Sequence, residues 1–189
     1  MPPIQRSGIS VPLATLPGEF EMKDTADIGT PPNADECLGL AWTDAMLLGH
    51  GPIDEAHQEF VEVVNALANC SPDTAAACLQ DLEAHVHSHF AVEKAWMEKT
   101  DFPAADCHLD EHERVIDAVQ KVNAKLLLGE LGLQDIRRLA KALADWFPGH
   151  AAYMDSALSA WINKKTYGGA PVVLRRDLRG DQRHAEAGA

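Results

Sequence analysis

Cys107-His108-Leu109-Asp110-Glu111-His112-Glu113-Arg114-Val115-Ile116 is the stretch that decides the fold, within a segment that runs from about Ala104 to Leu128 and stops at Gly129. At 3.6 residues per turn, His108 and His112 stand only about 40° apart around a helix axis, so both imidazoles share one face. An apolar stripe lies beside them, which turns that face inward. Such a pair taken alone is a weak signal, because two histidines four apart on an exposed face are usually just solvated. The segments on either side decide whether it means more.

Upstream, Ile53, Ala56, Phe60, Val63, Val64 and Leu67 form a helical stripe. Ser71-Pro72-Asp73 predicts the start of a second helix, with a capping hydroxyl and then proline at the first helical position. That helix runs to about Lys99, and Asp101-Phe102-Pro103 ends or follows it. The His108 segment is the third helix, and a fourth begins near Leu133 and runs towards Lys165. Four helices with short connections predict an all-α fold, an antiparallel up-down-up-down four-helix bundle over residues 42–165. Six of the 11 prolines fall in the first 32 residues, so residues 1–41 read as a Pro-rich, mostly disordered extension. Residues 166–189, with Gly168-Gly169-Ala170-Pro171 near their start, read as a flexible, weakly basic C-terminal tail.

Composition narrows the function classes. The 189 residues carry 16 Lys+Arg against 29 Asp+Glu, a net charge of −13, which repels phosphate backbones and argues against nucleic acid. No run approaches the roughly 20 apolar residues of a membrane span. Met1-Pro2-Pro3-Ile4-Gln5-Arg6 lacks the apolar core of a secretory signal, so a cytoplasmic location is expected. Cys37, Cys70, Cys78 and Cys107 contain no CxxC pair, against a zinc ribbon or a thioredoxin-type site. Cys70 and Cys78 are close enough to meet across a turn, but free thiols are the expectation in a reducing cytosol.

Nine histidines are the unusual count. The first helix carries His57, the second His89 and Glu93 four residues apart, the third His108 and His112, and the fourth His150 and Asp155. Each helix thus offers at least one nitrogen or oxygen donor beside an apolar face. Five imidazoles and two carboxylates converging inside a bundle would hold two borderline metal ions, with the carboxylates bridging them. Burying seven such groups without a partner is costly, and a metal pair satisfies them all.

These motifs resemble the hemerythrins, specifically the bacterial hemerythrin-like proteins. The matching residues are Trp42 ahead of the first helix, Ile53-Asp54-Glu55-Ala56-His57, His89-Phe90-Ala91-Val92-Glu93, His108 to His112, and His150-Ala151-Ala152-Tyr153-Met154-Asp155. The resemblance implies a non-haem di-iron centre with two iron ions per chain. His108, His112 and His150 hold one iron, His57 and His89 hold the other, and Glu93 and Asp155 bridge both with an oxo or hydroxo group. It also implies the function: the iron with two histidines keeps an open position for dioxygen, and apolar walls favour reversible carriage over turnover. Phe60 and Phe90 are the expected pocket wall, with Trp96 and Met97 further out, and plain core packing as the alternative for each. Dioxygen storage, delivery or scavenging is therefore expected, without enzymatic activity, in a monomer or small oligomer. The alternatives are a di-iron oxidase or peroxidase, a nitric oxide-handling enzyme, and a sensor of dioxygen, nitric oxide or redox state.

Several residues test that reading. Pro148-Gly149 precede His150, where an unbroken helix is the family's habit, so a kink or restart is expected there. His150 and Asp155 are five apart, about 140° around an ideal helix, which calls for a local distortion such as a π-bulge. His85, one turn before His89, reads as an extra ligand, a nearby proton donor or, most simply, a half-exposed structural histidine. His87, His50 and His184 are not placed to bind metal, Lys94 reads as a surface change, and Asp54 as a helix cap. Cys107 points off the ligand face and reads as a buried thiol.

Overall fold

The structure, a computed structural model, describes residues 39–168. The expectations for the Pro-rich extension, Cys37, the distal tail and His184 lie outside those residues. The stripe from Ile53 to Leu67 forms helix α1 (Gly51–Ala68), with Pro52 in its first turn and Ile53, Phe60, Val64 and Leu67 buried. Asp54 braces the entry to α1 from inside the helix: its two carboxylate oxygens accept the amides of Leu48 and Gly49 at 2.7 and 3.0 Å. Ahead of that loop lies a single 3-10 turn, Asp44–Met46. The chain entering the bundle is pinned where Asn65 accepts the amide of Leu40 and donates to its carbonyl.

Helix α2 (Ala75–Thr100) starts later than Ser71-Pro72 predicts. The Ser71 amide donates to the Thr74 hydroxyl and the Thr74 amide to the Ser71 carbonyl, which closes a separate turn. The helix proper begins beyond it, with Thr74 as N-cap. At the far end Asp101 takes the left-handed conformation (φ 51°) and the Phe102 amide reaches back to the Met97 carbonyl, a stop of the kind the sequence places there. Helix α3 (Ala105–Leu127) ends in a Schellman motif: Gly129, at φ 72°, donates to Leu126 and Glu130 donates to Lys125.

The fourth rod has three parts: α4 (Leu133–His150), a π-turn (Ala151–Asp155) and α5 (Ser156–Tyr167). Pro148 sits inside α4 without making it restart. The change of register comes three residues later, where the Ser156 amide bonds the Ala151 carbonyl five residues back. The π-bulge is where the spacing calls for it.

The described residues are all-helical, and the rods pack as a four-helix bundle, α1 against α2 and α4, α2 against α3. Connections of a few residues make sequence neighbours antiparallel. Buried apolar side chains fall into two clusters, one large, including Phe60, Leu79, Leu82, Val86, Val115, Ile136 and Leu143, with Trp42 against its edge. The second is smaller and contains Ile53, Met97, Phe102, Leu158 and Ile162. Each fully buried Leu or Ile contributes about 1.5–3 kcal/mol. Between the two clusters lies a layer of buried polar residues. No described helix is long and apolar enough to cross a membrane.

Candidate metal centre

That layer holds His57, His89, Glu93, His108, His112, His150 and Asp155, all at 5 % exposure or less. Helical periodicity supplies most of the convergence, and the π-turn supplies the rest. Its hydrogen bond spans five residues, so residues five apart come to stand one turn above each other. His150 Nε2 lies 3.2 Å from Asp155 Oδ1 as a result.

The donor atoms form two groups that share their carboxylates. Nε2 of His150 lies 3.1 Å from Nε2 of both His108 and His112. Glu93 Oε2 lies 3.4 and 3.3 Å from His108 and His112, and Asp155 Oδ1 lies 2.9 Å from His108. On the other side, Glu93 Oε1 lies 3.0 Å from His89 and 3.9 Å from His57, while Asp155 Oδ2 lies 3.1 Å from His57. Each carboxylate therefore turns one oxygen to each group.

Metal–nitrogen bonds of about 2.1 Å at right angles place neighbouring donors about 3.0 Å apart. Most of the observed separations lie close to that. Hydrogen bonding does not explain the cluster equally well. Nε2 of His57, Oε2 of Glu93 and both oxygens of Asp155 are buried without a hydrogen bond of sound geometry. Cations at the two centres would satisfy every one of them, so the residues present fit a metal pair.

Electrostatics within the layer point the same way. Burial and the charge of Asp155 push the Glu93 carboxyl up, but the His108, His112 and His89 rings facing it hold it well below the ordinary range. Asp155 is also held far down: burial opposes its charge, and His150, His108 and His57 outweigh the burial. Burial lowers His108, yet Asp155 and Glu93 bring it up to about 9. His57 is likewise raised, against its burial, mainly by Asp155. His112 falls to about 4, through burial first and the neighbouring His108 and His150 charges after it. Both carboxylates thus stay ionised, ready to hold cations.

Residues 50–162 match the family model described as the hemerythrin HHE cation binding domain. The chain is 34 % identical over 126 residues to the bacteriohemerythrin of Ralstonia nicotianae, covering 67 % of this chain and 90 % of that one. The chain belongs to the hemerythrin family. It is also 29 % identical over 122 residues to the bacteriohemerythrin of Stenotrophomonas maltophilia, covering 62 % and 78 %. Among solved structures, the fold resembles a leucine-to-alanine mutant of a hemerythrin, with a TM-score of 0.58 and 24 % identity over 64 % of this chain and 97 % of that one.

The hemerythrin bundle brings together all seven side chains singled out as donors, and treats the other candidates differently. Phe60 lies at the two-histidine end, 6.4 Å from the His89 ring. Phe90 lies between the two ends: its centroid is 5.3 Å from that of His89, and it stacks flat on His112, with centroids 3.8 Å apart and planes 4° apart. Met97 and Trp96 belong to the smaller apolar cluster, and the Trp96 ring meets His50 edge-on. His85 is not part of either donor group. It is also more enclosed than expected, with its side chain 9 % exposed against Phe60 and His89. Burial, with His89 and His57 nearby, lowers its pKa to about 4. His87 and Lys94 are exposed. Cys107 is exposed rather than buried, because the position before His108 falls about 100° off the ligand face. Cys70 and Cys78 are free thiols.

Sequence reasoning missed Phe147, Trp146 and Glu111. Phe147 meets the His57 ring at right angles (centroids 5.0 Å apart) and stacks on Phe60 (4.5 Å), while Trp146 lies 4.4 Å from the His150 ring. Both stand one turn before His150, and the rule that singled out Phe60 one turn after His57 would have found them. Glu111 is buried beside His112, with one oxygen on Arg114 and the other without a partner. Its neighbours in sequence give no hint of that burial.

Proposed function

We propose that this chain binds dioxygen reversibly at a non-haem di-iron centre, for storage, delivery or scavenging. His108, His112 and His150 with Glu93 Oε2 and Asp155 Oδ1 would hold one iron. His57 and His89 with Glu93 Oε1 and Asp155 Oδ2 would hold the other. Bound there, iron supplies a redox-active Lewis acid that takes up dioxygen and returns it.

One observation carries the reading: the donor set is uneven. Five protein donors face one centre and four face the other, so the two-histidine side has the greater vacancy for an outside ligand. The side chains around it do the rest. Phe60 and Phe147, both at 1 % exposure or less, exclude water and reductants from that side. The ionised pair Glu93 and Asp155 balances cation charge inside an apolar interior, where an unpaired charge is costly. Only two of the seven donors are carboxylates, a set suited to binding rather than to oxidative turnover.

The test is optical. Reduced, iron-loaded protein exposed to air gains a visible absorption band, which disappears on evacuation and returns with air. Irreversible oxidation with turnover of an added reductant would instead establish an enzyme.

A further inference from the structure

His85 stands on α2 one turn before His89, so its ring shares the ligand face without joining the donor groups. Its centroid lies 5.4 Å from that of His89 and 6.1 Å from that of Phe60, at the two-histidine end. The two ring nitrogens have unlike surroundings. Nδ1 faces outward to α1, 3.6 Å from Glu59 Oε2, with the Ala56 carbonyl as a backbone acceptor for the same ring. Nε2 is the inner edge, buried and without any hydrogen-bond partner.

Burying an imidazole nitrogen without a partner is unfavourable, and a leucine would fill the same space at no such cost. Yet the nitrogen is there, on a ring that packs against Phe60, which in turn stacks on Phe147. With the Glu59 carboxylate facing Nδ1 and no partner at Nε2, the ring proton is assigned to Nδ1, which leaves Nε2 a lone pair. The geometry points to His85 as the hydrogen-bond acceptor for a small proton-bearing ligand at the two-histidine end, such as water or dioxygen taken up together with a proton. This inference rests on the di-iron dioxygen reading above. In this role His85 touches the ligand rather than the metal, and holds it against release.

Iron-loaded full-length protein, His85→Leu and His85→Gln make the test. All three are expected to carry the same iron. Dioxygen leaves His85→Leu about tenfold faster than the wild type, the effect of one lost hydrogen bond. His85→Gln, whose amide oxygen is an acceptor, falls between them. The D2O effect on release differs in size between the wild type and His85→Leu, because only the wild type loses a hydrogen bond from the ligand to an imidazole nitrogen, a difference that a purely packing role cannot produce. Release from His85→Leu within twofold of the wild type, at full iron content, overturns the proposal. A wild type that never gives up dioxygen on evacuation defeats the carrier reading instead. In that case 15N spectra of the zinc-loaded protein, which binds water but not dioxygen, decide. An unprotonated, hydrogen-bonded His85 Nε2 supports the acceptor role, and an unbonded or protonated one overturns it.

Discussion

His150 and Asp155 meet at 3.2 Å across a π-turn, although five residues of regular α-helix would hold them about 140° apart. The contact matters because Asp155 is shared: Oδ1 lies 2.9 Å from His108, and Oδ2 lies 3.1 Å from His57. The distortion in one rod therefore places one carboxylate between the two donor groups.

Asp155→Ala is accordingly expected to affect both centres. It removes one donor from each group and one of the two buried charges, so iron content falls from the two per chain proposed above to well below one. His57→Ala takes a donor from the smaller group only and leaves about one iron per chain. Metal analysis after desalting distinguishes them. Equal iron in the two variants would show that Asp155 does not bridge. The effect of breaking either group on stability is of the order of 3–5 kcal/mol, the range for a buried charge that loses its partners.

Much of this was legible in the chain, for a definite reason. Donors four apart, His89 with Glu93 and His108 with His112, lie on one face of any α-helix, so periodicity alone predicts their convergence. The five-residue spacing of His150 and Asp155 announced its own distortion. What stayed hidden depends on neighbours in three dimensions. Ser71-Pro72-Asp73 is a sound helix start by local chemistry, but the Ser71–Thr74 hydroxyl pair closes a separate turn first. Pro148 removes one backbone donor, yet the rod packs on the large cluster on either side of it, through Trp146, Phe147 and Ala151, and helical structure persists. Which ring Phe90 covers is a matter of helix rotation within the bundle. No count along the sequence separates His89 from His112.

The charges of the metal-free centre set a pH dependence with a definite sign. His108 is raised to about 9, above its ordinary 6.5, despite its burial, because Asp155 and Glu93 favour its charged form. Its contribution to metal-free stability is thus full below about 6.5 and is lost as pH rises through about 9. Iron needs the same nitrogen unprotonated, so loading expels that proton and metal affinity increases over this range. The two effects add. The difference in melting temperature between iron-loaded and metal-free protein widens from pH 7 to pH 9 under anaerobic calorimetry. Proton release in weakly buffered solution on iron addition gives an independent measure. A constant difference and no proton release would contradict the charge assignment of His108.

Phe147 offers the most direct probe of the wall. Its ring is 1 % exposed, perpendicular to the His57 ring with centroids 5.0 Å apart, and stacked on Phe60 at 4.5 Å. Phe147→Leu gives up that stack and leaves space beside the two-histidine end, costing about 1–2 kcal/mol in stability. A matched control is Phe102→Leu, which thins the smaller cluster, where the Phe102 ring packs on Trp161. Both variants lose comparable stability in urea titrations. Only Phe147→Leu admits a small anion faster: azide association with the oxidised, iron-loaded protein increases about tenfold, while Phe102→Leu stays within twofold of the wild type. The discrimination follows from close packing, because a void speeds entry only where it adjoins the side proposed to take the outside ligand. Equal azide rates in the two variants would place the entry route elsewhere, and Phe147 would then be no more than a core residue.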